Sequence, residues 1–155
     1  MIPKEVFLFA HAIFGTFGAL AAVWVVAETL NLRTENLARV RSVSILAAVL
    51  VWLSYLLGGY FYVNFYAADR AIILAGPWPW AHRLVTEAKE HLFFILLLLA
   101  TYLPIVSSDP YVLKEKANRV LIMIVSGLVG LLVMAMDGFG ALIILGTKMG
   151  LLQRG

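Results

Sequence analysis

The chain has 155 residues, of which 63% are hydrophobic and 14% charged, with a formal net charge of +3 and no cysteine. Soluble domains run at about half apolar and a quarter charged, so this composition excludes an ordinary soluble domain and leaves little room for one beside a membrane part. The missing cysteines exclude disulfides, thiolate metal sites, iron–sulfur clusters and c-type haem attachment. The small, dispersed positive charge offers no surface for nucleic acid and suits phospholipid headgroups instead.

The first apolar run, Val6 to Leu30, follows Lys4. It is longer than the apolar part of a signal peptide, about 7–15 residues, and is expected to stay as a first helix over 5–30. Asn31 to Arg41 is polar, with Arg33, Glu35, Arg39 and Arg41. A second helix is expected over 42–66, ending in Tyr60, Phe61, Tyr62, Phe65 and Tyr66, an aromatic belt of the kind found where a helix leaves a bilayer. Ala67 to Trp80 then reads as a connection lying on the membrane, stiffened by Pro77 and Pro79. A third helix is expected over 81–106, with Pro104 bending or ending it, and a fourth over 119–145. The fold expected from this pattern is an all-α integral membrane protein, an antiparallel up-and-down four-helix transmembrane bundle, with residues 1–155 as one domain.

In that arrangement both termini and the Ala67–Trp80 connection share one side, termed A. The other side, B, holds the two short polar connections with Arg33, Arg39, Arg41, Lys114, Lys116 and Arg119. Side A carries Lys4, Arg70, Arg83, Lys148 and Arg154, plus Lys89 within helix three. The slight excess on side B points to a cytoplasmic B side and outward termini in a prokaryotic inner membrane.

Helix three carries the most telling stretch. Its wholly apolar part, Leu92 to Val106, is shorter than the roughly 20 residues a span needs, so the span must reach back to about Glu87. Glu87, Lys89, Glu90 and His91 then lie at or below the membrane surface, where ionisable groups mark a functional site by default. His11 lies about 10 Å along helix one at a rise of roughly 1.5 Å per residue, His91 about 15 Å along helix three, and Asp137 about 12–15 Å before the end of helix four. All three measure from side A, so three helices bring ionisable groups to similar depth. His11 shares a helix face with Gly15 and Gly18, and Glu87 shares one with His91, while His82 and Lys89 lie on a nearly opposite face of helix three.

Two neutral imidazoles from facing helices at one level can ligate a haem iron from both sides, provided small residues make room for the macrocycle. His11 and His91 are the candidate axial ligands, Gly15 and Gly18 the candidate haem contacts, and Glu87 and Asp137 the candidate acceptors for a ligand's second ring N–H or handlers of protons. In helix number, topology and the His-plus-glycine first helix, the chain resembles the small four-helix membrane cytochromes of the b type. That resemblance implies one haem b and electron transfer between the quinone pool and a partner redox protein. The chain departs from the di-haem members, which use four histidines on the helices; its third histidine, His82, is a reserve ligand or part of a quinone site beside Trp78 and Trp80. Such a module is a component of a quinone-linked oxidoreductase and works with other membrane or redox subunits.

Other readings of the same residues stay open. A His–Asp or His–Glu hydrogen bond would satisfy the histidines with no cofactor, in a non-catalytic subunit of a larger complex. His11, Glu87, His91 and Asp137 also form a mixed N/O set suited to a non-haem metal or to transport. A proton path is disfavoured, because the polar level occupies one half of the membrane only. No Ser/His/Asp arrangement, phosphate loop or dinucleotide fingerprint is present.

Overall fold

A computed structural model describes residues 3–153; Arg154 lies outside them. The chain forms α1 (Lys4–Leu30), α2 (Thr34–Ala75), a π-helical turn (Ala81–Thr86) that runs directly into α3 (Glu87–Ser107), and α4 (Lys116–Leu152). No strand occurs among the described residues. Four helices, with the π-turn counted into the third, are long and apolar enough to cross a membrane.

Local chemistry sets the helix ends. Pro3 precedes α1, where its fixed φ and missing N–H cost nothing. At the start of α2 the Asn36 Oδ1 accepts the Arg33 backbone N–H at 2.8 Å, and the Asn36 amide turns back to Glu28 at 2.9 Å, which locks the α1–α2 corner. Arg39 closes that corner from outside with an ion pair to Glu28 at 3.3 Å. Pro104 sits within α3 without ending it.

Two helices outrun their expected limits. From the sequence a connection is expected at Ala67–Trp80, yet α2 continues to Ala75. Nothing between Ala67 and Ala75 breaks a helix, and the first breaker is Gly76-Pro77. Ile73 in the added segment is fully buried against Ala81 and Tyr66. In the same way α4 runs to Leu152 rather than stopping near Leu145. Gly146 and Gly150 permit this: a Cβ on Gly146 would come within 2.8 Å of Ala81 Cβ, and one on Gly150 within 2.6 Å of the Ile72 carbonyl oxygen. Small residues here let two helix ends approach to backbone distance.

Successive helices run antiparallel, as their contacts show. Lys4 pairs with Asp69, Phe7 stacks near Tyr60, and His11 meets Ser54, so α1 ascends as α2 descends. Arg41 reaches the Ser107 carbonyl, Trp52 bonds Thr101, and Tyr66 bonds Thr86, which sets α2 against α3. Thr16 with Asp137, and Gly130 beside Ala19, set α4 against α1. The interior divides into an apolar core on side B around Val25, Leu103 and Ile122, a middle layer around Ala22, Ala100 and Val129, and a small cluster on side A around Tyr66, Ile73 and Ala81.

Candidate functional site

Between the middle layer and the side A cluster the helices part around a cavity of about 490 Å³. That volume lies within the range of small-molecule sites. Its walls are aromatic and aliphatic, with Tyr55 stacked on Phe93 at 4.9 Å between ring centroids. The polar groups that reach it come from every helix: His11 from α1, Ser54, Tyr62 and Tyr66 from α2, Thr86, Lys89 and Glu90 from the third helix, and Asp137 from α4.

His11 is held in one orientation. Its Nδ1 lies 2.8 Å from the Ser54 carbonyl oxygen and 3.0 Å from Ser54 Oγ. A carbonyl only accepts, so Nδ1 carries the proton and Nε2 keeps its lone pair. Ser54 Oγ donates in turn to the His11 carbonyl at 2.8 Å, so two helices are clasped around one ring. Gly58 provides the seat, since a Cβ there would come within 2.7 Å of His11 Nδ1. His11 Nε2 makes no hydrogen bond among the described residues.

Asp137 and Lys89 complete the floor of the cavity. Thr16 Oγ1 donates to Asp137 Oδ2 at 3.4 Å, and Asp137 Oδ1 would lie 3.5 Å from a Cβ on Gly15. Lys89 Nζ reaches across toward Gly140, 3.4 Å from where its Cβ would be. Both line the cavity, yet no ion pair between them falls within 4.0 Å among the described residues. An amine, a carboxyl group and an imidazole lone pair thus share one floor, with no ion-pair contact between the first two.

Nearer side A, a second polar array is closed upon itself. Arg70 Nε donates to His82 Nε2 at 2.9 Å, and His82 Nδ1 lies 3.0 Å from the Tyr66 hydroxyl. The Tyr66 hydroxyl meets Thr86 Oγ1 at 2.9 Å, and Thr86 Oγ1 donates to the Ala81 carbonyl at 3.2 Å. Ala81, His82 and Thr86 all belong to the π-turn, a type of segment frequently found at functional sites.

The residues singled out from sequence fall into four groups. His11, Gly15 and Asp137 line the cavity. Gly18 packs against α2 instead, where a Cβ would come within 3.0 Å of Val51 Cγ2. His91 and Glu87 are both exposed, and His91 Nδ1 donates to the Glu87 carbonyl at 2.7 Å, one turn earlier on its own helix. The structure therefore does not bring His11 and His91 together across the interior. His82 is buried with both ring nitrogens engaged, which leaves neither free for a metal. Among the described residues no three His, Cys, Asp or Glu side chains are grouped to hold a metal ion.

Sequence reasoning missed the roles of Ser54, Gly58, Lys89, Tyr66 and Thr86. The inward face of the third helix shows only once burial is known. Leu103 and Leu96 are buried on the inner face of α3, and counting back by sevens gives Lys89 and then His82. His91 does not fall in that series.

Fold and site together define a class: a four-helix protein, each helix able to cross a membrane, with an apolar cavity whose floor is ionisable. No family model, curated protein or solved structure matches the chain.

Proposed function

We propose that the chain crosses a membrane four times and binds, in its cavity, the ring of a lipid-soluble redox carrier of the quinone type, which it presents to a partner redox protein. Counted from the side B connections, about 20 residues of each helix fill the hydrocarbon. That count ends near Ala10, Tyr60, Glu87 and Phe139, so the cavity straddles the membrane boundary on side A. A carrier dissolved in the bilayer can reach such a site without entering water.

The observation that carries this reading is the floor formed by His11, Lys89 and Asp137 beneath aromatic walls. A flat ring stacks on Tyr55 and Phe93. Lys89 can donate to a ring carbonyl, and His11 Nε2 and Asp137 can accept from a ring hydroxyl. Both oxidation states of a quinone head therefore find partners, and the imidazole and carboxylate can take up the protons that leave on oxidation.

A second reading rests on the His11 tautomer. A histidine whose Nδ1–H is fixed by a backbone carbonyl presents Nε2 as a ligand, the usual arrangement at a metal or haem iron. Haem b would then be held by His11 alone among the three histidines, since His82 is fully bonded and His91 faces outward.

Purification in mild detergent, followed by an absorption spectrum and extraction of bound lipids, separates the readings. A colourless protein carrying about one extractable quinone, lost in His11→Ala, supports the first. A red protein with a Soret band lost in the same variant supports haem and overturns the first. Neither quinone nor pigment, with no binding of added quinone, leaves a non-catalytic membrane subunit.

A further inference from the structure

We infer that the Arg70–His82–Tyr66–Thr86 array makes the cavity selective for the reduced, dihydroxy form of a ring carrier over its oxidised, dicarbonyl form. The inference rests on the quinone reading above and adds the redox state that the site prefers.

Its basis is the direction of the hydrogen bonds. An arginine guanidinium can only donate. With Arg70 Nε at 2.9 Å, His82 Nε2 must therefore accept, which places the ring proton on Nδ1. His82 Nδ1 then donates to the Tyr66 oxygen at 3.0 Å. Thr86 Oγ1 gives its proton to the Ala81 carbonyl at 3.2 Å, so between the two hydroxyls Tyr66 is the donor and Thr86 the acceptor, at 2.9 Å. Every proton from His82 Nδ1 through Tyr66 to Thr86 is committed. Tyr66 and Thr86, which line the cavity, have only lone pairs left to offer a ligand.

The floor leans the same way. His11 Nδ1–H is spent on Ser54, so Nε2 offers a lone pair, and Asp137 as a carboxylate also accepts. Lys89 and the Tyr62 hydroxyl are the donors that oppose them. A ring hydroxyl can donate to these acceptors, whereas a ring carbonyl brought against the same lone pairs leaves both sides unpaired. A site built from acceptors discriminates against an analogue lacking the donor, because its polar groups lose water and gain no partner.

The π-turn carries three members of the array. Within it the Thr86 hydroxyl reaches the carbonyl five residues back, on Ala81, while His82 and Thr86 are both buried and both bond Tyr66. A purely structural reading of the array predicts that breaking it lowers stability and changes affinity for both forms alike.

The test is anaerobic titration of the detergent-solubilised protein with a decyl-substituted para-benzoquinone and, separately, its hydroquinone. The wild-type protein is expected to bind the hydroquinone on the order of tenfold more tightly, the equivalent of about one well-made hydrogen bond. Arg70→Gln, at the exposed end of the array, and Tyr66→Phe, within it, should each lower that ratio toward one, mainly by weakening hydroquinone binding. Equal binding of the two forms by the wild-type protein, or tighter binding of the quinone, overturns the selectivity and leaves the quinone reading intact. A ratio unchanged in both variants overturns the role of the array. Binding of neither form overturns the quinone reading itself and this inference with it.

Discussion

On side B, the hydroxyls of Thr29, Ser44, Ser107 and Ser126 each lie 2.7 to 2.8 Å from the carbonyl four residues earlier on the same helix, and one of Ser44 and Ser107 shares its proton with the other at 2.8 Å. On side A, the polar side chains of His11, Tyr66, His82 and Asp137 find partners on other helices. The first arrangement satisfies these hydroxyls without opening the bundle, and the core there is packed around fully buried Val25, Leu103 and Ile122. The second needs the helices held apart at set distances, and a cavity opens among them. Hydroxyls bonded back to their own helix mark the closely packed half, and ionisable side chains bonded across helices mark the half that holds the cavity.

That contrast can be broken from either side. The largest effect on stability is expected from Ile122→Ala in the closed half. Removing a fully buried side chain there should cost about 2–5 kcal/mol, read from unfolding in mixed detergent, with ligand retention unchanged once the protein is folded. Loss of ligand without loss of stability would show that the two halves are coupled.

Gly58→Leu attacks the open half. Its added side chain must displace the His11 ring or strain α2, at about 1–3 kcal/mol, and bound quinone or pigment should be lost. Full retention of the ligand would remove His11 from the site.

Ser44→Ala should cost only about 0.6 kcal/mol, the typical value for one hydrogen bond among membrane helices. A much larger loss would mean that its contact with Ser107 Oγ at 2.8 Å, and not its own helix, supplies the stability.

The smallest effect is expected from His91→Ala, whose ring is exposed and bonded only one turn back. Stability should stay within about 0.5 kcal/mol, with the absorption spectrum and bound lipid unaltered. Bleaching of a pigment in this variant would instead show that His91 reaches the interior.

Much of the architecture was legible in the chain. Long apolar runs interrupted by short polar ones fix helices of membrane length, because a backbone among apolar side chains must satisfy its own hydrogen bonds. The overrun of α2 and α4 was also written there, in the lack of any breaker before Gly76 and in the Gly146/Gly150 pair. The grouping of His11 with Asp137 followed from depth alone, since residues per turn and rise are nearly constant.

What the chain by itself could not give is which face of each helix turns inward. Around α3 nearly every position is apolar, so hydropathy carries no periodic signal. The outward turn of Glu87 and His91, with Lys89 and His82 facing in, emerges only when Leu96, Ala100 and Leu103 find their places against the other helices. The π-turn deepens that uncertainty by shifting the register of everything before Glu87. Composition and spacing therefore determined the number and order of the helices and the level of their ionisable groups. Packing alone decided their rotation, and with it that His11 meets Ser54 and Gly58, and not His91.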